Sequence, residues 1–159
     1  MSVAEALRGR VGLVFPGQGS QFVGMGKSLA ETSGAARDVF ARADQMLGVS
    51  LSGLCFEGPA AELDDTYNSQ AAILTASVAA LAALGERLNE TGQAMEPVGF
   101  AGHSLGEFTA LIAAGSLDFA TILPAVRERG RLMREAGQQR PGGMAAVLGL
   151  DDDALADVC

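Results

Sequence analysis

One histidine, two cysteines and 11 basic residues are all that this 159-residue sequence holds of the groups that most often carry acid–base catalysis, metal binding or nucleic-acid contact. Against 19 acidic residues they leave a formal charge of -8. Phosphate backbones require a basic face, so nucleic acid is excluded as a general partner, and any anionic ligand must find a local patch. Cys55 and Cys159 form neither a Cys-x-x-Cys pair nor a disulfide framework. Cys55, inside "LSGLCFEG", reads as a small core hydrophobe, and no metal site is expected. Near the N-terminus the apolar run before Pro16-Gly17 is five residues, too short for a signal or a membrane segment, which points to a cytoplasmic protein with no membrane partner. No repeat, low-complexity tract or long linker interrupts the chain.

Hydrophobic residues make up 48% of the sequence and charged residues 19%, enough apolar material for one soluble domain or part of a larger one. "RVGLVF" reads as a strand ended by the glycine-rich turn "PGQGSQ". In "AARDVFARADQMLG", Val39, Phe40, Ala43, Met46 and Leu47 recur at helical spacing, and Gly48 suits a C-cap. Pro59 fits the first turn of a short helix. The stretch from about Asn68 to Leu88 is apolar on nearly every side until Glu86, as expected of a helix buried in a domain interior. After Pro97, "VGFA" reads as a strand and "LGEFTALIAAG" as a helix ending at Gly115. Asp118 can cap a further helix, in which Pro124 predicts a kink or a delayed start. "GMAAVLGL" reads as a last strand and "DDDALADVC" as the first turns of a helix with acids at its positive end. Alternating strands and helices predict an α/β fold with a mostly parallel sheet flanked by helices.

What is present in place of a histidine-rich site is "AGHSLGEFTA", where Ser104 stands between Gly102 and Gly106 with His103, the sole histidine, beside it. In a chain with 21 glycines a Gly-x-Ser-x-Gly match carries weight only through its context. The context is a predicted strand-to-helix turn. A nucleophile elbow needs such a turn, with small flanking residues where the two backbones converge, so Gly102 and Gly106 support it. The helix starting near Leu105 turns free N–H groups toward the serine, where they can stabilise an oxyanion. A second donor usually comes from a loop after another strand, and Gln18 in "PGQGSQ" is the candidate. That loop lacks the Lys-Ser/Thr of a P-loop and the spacing of a dinucleotide fingerprint. His103 directly precedes the serine, and neighbouring side chains diverge at a sharp turn. It is therefore expected to support the elbow by hydrogen bonding to backbone, and not to serve as the base.

"VFPGQGSQFVGMG", "SQAAILTASVAAL", "AGHSLGEFTALIAAGSLDFA", "RGRLM" and "GGMAAVLGLDD" together resemble, in order and spacing, the malonyl-CoA:acyl-carrier-protein transacylases and the related acyltransferase domains of polyketide synthases and malonate decarboxylase systems. The resemblance runs from Val11 onward. It implies that Ser104 accepts the acyl group, that the backbone amides of Gln18 and Leu105 form the oxyanion hole, and that Arg129 binds the free carboxylate of malonyl. A guanidinium suits that role, offering two parallel donors and a permanent charge. Arg127, Arg131, Arg134 and Arg140 add charge nearby that could meet a polyanionic coenzyme A thioester, although such clusters are more often a solvated helix face. The substrates implied are malonyl-CoA and a phosphopantetheinyl acyl carrier protein, with no separate cofactor.

The sequence departs from the family's pattern at Ala71, where a proline is common, and at Pro124, five residues before Arg129. In the family the catalytic histidine comes from a second half, beyond a small inserted subdomain. The resemblance thus divides this chain into an N-terminal extension (1–10), a partial α/β acyltransferase core (11–141) and the beginning of that subdomain (142–159). It implies an N-terminal part of a malonyl transferase, inactive by itself for want of the base. A complementing chain or self-association would then cover exposed apolar surface. Two other readings remain open at this stage: a serine hydrolase of the esterase or thioesterase type, and a non-catalytic interaction module.

Overall fold

The computed structural model describes residues 11–140, 142 and 147–157. The expected extension 1–10 lies outside the described residues, as do residues 143–146 of the strand expected in "GMAAVLGL"; residues 147–150 form no strand. Strand β1 (Gly12–Phe15) pairs in parallel with β2 (Gly99–Gly102), in register from Gly12 with Gly99 to Phe15 with Gly102. Between them lie α1 (Lys27–Thr32), α2 (Gly34–Leu47), α3 (Leu51–Glu57), α4 (Ala60–Asp64) and α5 (Thr66–Glu90). After β2 come α6 (Gly106–Ala113), α7 (Phe119–Gln139) and α8 (Asp152–Ala156). The fold class is the α/β arrangement that the alternation of elements predicts, with α6 packed on both strands.

Local chemistry sets most of the boundaries. Ser33 caps α2 by accepting from the Ala36 N–H at 3.1 Å, and Gly48 closes the helix in the left-handed conformation. Glu86, from α5, accepts from the Ala35 N–H at 3.2 Å, and with the Ser33 hydroxyl this holds its carboxyl below the usual range. Asp65 caps α5 through the Tyr67 N–H at 2.8 Å. Pro59 precedes α4 as its N-cap, one position earlier than expected. Helices α1 and α3 are short and carry no periodic apolar stripe long enough to predict them.

Helix α7 corrects one expectation. Asp118 accepts from the Thr121 N–H at 2.9 Å and from its hydroxyl at 2.7 Å, bonds that lower the Asp118 pKa, and the helix starts at once with Pro124 inside it. Proline at the sixth helical position forfeits one backbone hydrogen bond. Burial of Ile122, Leu123 and Val126 on the adjoining face offsets the loss.

Helix α5 is the spine, packed against α2 on one side and α7 on another. By length and hydropathy it could cross a membrane, yet Ser69, Gln70 and Thr75 are fully buried within it, and its packing is that of a core helix. Only its first half is enclosed as the sequence predicts. Its later residues Ala80, Leu81 and Leu84 join Val14, Phe15 and Phe22 around an apolar groove of about 370 Å³, and Val14 is 78% exposed. The α5–α7 contact depends on Gly130, where a Cβ would stand 2.7 Å from the Thr66 carbonyl oxygen. Gly130→Val is accordingly expected to force the helices apart and cost about 1 to 3 kcal/mol, read as a lower urea midpoint.

Cys55 is wholly buried, and burial, with a smaller contribution from Asp44, pushes its thiol up to about 12. Because the folded state holds the proton more tightly than the unfolded chain, the associated stability is complete below about pH 9 and drains away as pH rises toward 12. Peptide-resolved labelling at pH 8 should leave Cys55 unmodified until denaturant is added.

Candidate active site

The turn at Ser104 is built by pairing that runs one residue past β2. The His103 N–H donates to the Phe15 carbonyl at 3.2 Å, and the Gly106 N–H returns to the His103 carbonyl at 2.9 Å. Between these bonds Ser104 takes φ 52°, the only positive φ at a non-glycine among the described residues. A serine held there costs on the order of 1 to 3 kcal/mol, strain that collects at functional sites. The flanking glycines make room for it: a Cβ on Gly102 would lie 2.0 Å from the Gly106 carbonyl carbon, and one on Gly106 would lie 2.3 Å from the Phe15 oxygen. No other residue fits either place. Ser104 is exposed while Leu105, next to it, is fully buried and anchors the start of α6.

The glycine-rich loop after β1 abuts this turn, since a Cβ on Gly17 would meet the His103 carbonyl oxygen at 2.5 Å and its Nδ1 at 2.8 Å. Gln18 follows directly, its side chain turned away to donate to Thr66 Oγ1 at 3.0 Å. Among the described residues the backbone N–H groups of Gln18 and Leu105 have no hydrogen-bond partner. His103 supports the elbow through its main-chain N–H and carbonyl. Its imidazole makes no hydrogen bond among the described residues, either to backbone, as the sequence reading expects, or to Ser104.

Arg129 reaches the serine from α7. Its Nη2 donates to Ser104 Oγ at 3.1 Å, its Nη1 donates to Gln70 Oε1, and its guanidinium lies 5.9 Å from the Phe108 ring centre. Pro124 has therefore not turned Arg129 away. Gln70, fully buried on α5, is a site residue that the sequence reading missed, although a lone amide inside "SQAAILTAS" was a signal for it.

The neighbouring arginines are already engaged. Arg127 donates to the Tyr67 carbonyl at 3.0 Å and Asn68 Oδ1 at 2.8 Å, and its guanidinium stacks 3.6 Å from the Tyr67 ring centre. Arg134 lies 4.5 Å from the same ring and 3.5 Å from Asp65. Arg131 is bound by Glu128 at 2.6 Å and by Glu135, which raises its pKa and lowers that of Glu128. Arg131 and Arg134 are paired with carboxylates, while Arg127 is held by neutral groups, so the three guanidiniums are fixed on the helix face and only Arg127 keeps its charge uncompensated.

The model of the acyl transferase domain family matches residues 13–156. The chain is 50% identical over 149 residues to the malonyl CoA-acyl carrier protein transacylase of Bacillus subtilis, covering 94% of this chain and 45% of that protein. With the Escherichia coli transacylase it shares 45% over 146 residues, 92% of this chain and 46% of the relative. It is similar to the solved acyl-carrier-protein S-malonyltransferase of Burkholderia pseudomallei, with a TM-score of 0.81 and 44% identity over 95% of this chain and 47% of that one. A type II PKS acyl-carrier protein in complex with its malonyl-transacylase matches with a TM-score of 0.80 and 40% identity, over 95% of this chain and 47% of that one. The chain spans under half the length of these relatives. With the family model matching residues 13–156 and half of the aligned positions shared with a transacylase, the chain belongs to the acyl transferase domain family.

Proposed function

We propose that this chain provides the acyl-accepting part of an enzyme that moves malonyl from coenzyme A to the thiol of an acyl carrier protein. The observation that carries the reading is the 3.1 Å contact between Arg129 Nη2 and Ser104 Oγ. A malonyl group esterified to Ser104 carries its free carboxylate one methylene beyond the acyl carbon, within reach of that guanidinium. Ser104 Oγ attacks the thioester carbonyl, a C–O bond forms, and the C–S bond breaks as the coenzyme A thiolate leaves. The carrier-protein thiol then reverses the step, taking the acyl group and releasing the serine. The free N–H groups of Gln18 and Leu105 are the donors for the oxyanion at both stages. Names of the similar proteins support the choice of malonyl-CoA and carrier protein, and a cytoplasmic setting belongs to the same reading.

The serine proton needs an acceptor. Arg129 is a donor only, and the imidazole of His103, the sole histidine of the sequence, makes no hydrogen bond to Ser104 among the described residues. The base in this reading comes from another polypeptide segment, one that also covers the apolar groove beside the "PGQGSQ" loop, so the residues of this chain alone turn over little. Loss of a base commonly removes several powers of ten in rate.

Two outcomes test the proposal, both followed as acyl-serine mass on the intact protein, with the base-supplying segment present for the selectivity measurements and left out for a control. Arg129→Ala should lower acylation by malonyl-CoA by the equivalent of about 2 to 5 kcal/mol and leave acetyl-CoA nearly unchanged or improved, with Arg129→Lys in between. Equal losses for both thioesters would remove the carboxylate role. His103→Ala should leave the malonyl-to-acetyl ratio intact, whereas steady turnover by this chain alone that His103→Ala abolishes would make His103 the base.

A further inference from the structure

The guanidinium of Arg129 does not stand free beside the serine; it is held from behind by a buried amide that is itself held by a thioether. Gln70 Oε1 accepts from Arg129 Nη1, and Gln70 Nε2 donates to Met133 Sδ at 3.2 Å. Gln70 is fully buried on α5, and Arg129 and Met133 lie four residues apart on one face of α7, so they approach the amide from a single helix. Only one orientation of the amide satisfies both neighbours. Arginine has donors and no acceptor, a thioether has an acceptor and no donor, and a flipped amide would set N–H against N–H on one side and oxygen against sulfur on the other.

We propose that Gln70 is a positioning residue for Arg129, and that Met133 sets the face which Gln70 presents. With Nη1 occupied, the guanidinium cannot rotate about its Cζ–Nε bond, and Nη2 is kept toward Ser104 Oγ, where the substrate carboxylate arrives. Charge alone would select malonyl more weakly with a guanidinium free to swing. Preorganisation does so by removing the ordering that binding would otherwise require. The lock depends on α5 and α7 lying close enough for a glutamine to span them, which the missing side chain at Gly130 permits.

The inference deepens the malonyl reading, and the proposed role in selectivity rests on it, but the lock itself can be tested without any substrate. In 15N NMR of this chain, a guanidinium locked on one side gives separate, slowly exchanging Nη1 and Nη2 signals for Arg129. Gln70→Leu should merge them, and Met133→Leu, which keeps the volume and removes only the acceptor, should broaden them. The Arg131 signals, held by Glu128 and Glu135, serve as the control. If Gln70→Leu does not fold, Met133→Leu and Gln70→Met carry the same test. In the form of the protein that acylates Ser104, Gln70→Leu should lower malonyl transfer about tenfold, the equivalent of one buried hydrogen bond, with acetyl transfer little changed and no further loss in an Arg129→Ala background. Averaged Arg129 signals in the unaltered protein overturn the lock. So do separate signals that survive Gln70→Leu, or a Gln70→Leu loss that is equal for both thioesters or persists without Arg129. A sharp Arg129 lock combined with no malonyl preference would instead leave the positioning intact and remove the malonyl reading.

Discussion

Everything at this site hangs on how closely the end of β2 and the start of α6 approach one another. The Gly102 and Gly106 backbones meet with no room for a Cβ on either, and Gly106 is pressed against the Phe15 carbonyl of the neighbouring strand. That contact forces the intervening turn to be sharp. A sharp turn pushes Ser104 into positive φ, leaves it exposed and keeps the Leu105 N–H beside it without a partner among the described residues, while the Gly106 and Glu107 N–H groups bond the His103 and Ser104 carbonyls. The parallel pairing of β1 with β2 then delivers the "PGQGSQ" loop to the same edge, because parallel strands present their C-terminal ends together.

A second approach, between α5 and α7, supplies the arginine. It lies 25 residues beyond the serine in sequence, and is brought back only because Asp118 starts a long helix that recrosses α5 at Gly130. The buried faces of these helices are conventional, with Leu74, Leu123 and Val126 fully enclosed. What is unusual is a fully buried glutamine in the same interface. An unpaired amide there costs about 1 to 3 kcal/mol, so its retention requires partners, and Arg129 and Met133 are those partners.

Much of this was legible from residues alone, and the boundary of legibility is physical. Strand β1, the Ser104 turn and the Asp118 cap could all be read because each is written locally, in an apolar run, a pair of glycines or a side chain that bonds three residues ahead. Arg129 was reached by resemblance, since nothing near it in sequence separates it from Arg127 or Arg131. Only the folded geometry shows that those two are occupied, by Tyr67 and Asn68 and by Glu128 and Glu135, while Arg129 faces the serine. Gln70 was overlooked for the same reason, its partners lying 59 and 63 positions away. Pro124 misled in the opposite direction. A local rule forecast a kink or a late start, yet the helix starts at Phe119 and runs on through Pro124, with Ile122, Leu123 and Val126 buried beside it.

The positive φ of Ser104 sets stability and chemistry against each other at a single residue. Glycine adopts that backbone region without steric cost, so by the measure of folding alone it is the better occupant of position 104. The serine thus acts as a spring under compression, held shut by the hydrogen bonds from His103 and Gly106 on either side of it. Loosening those two bonds would let the turn relax toward a backbone conformation without that strain, at the cost of the geometry that exposes the hydroxyl.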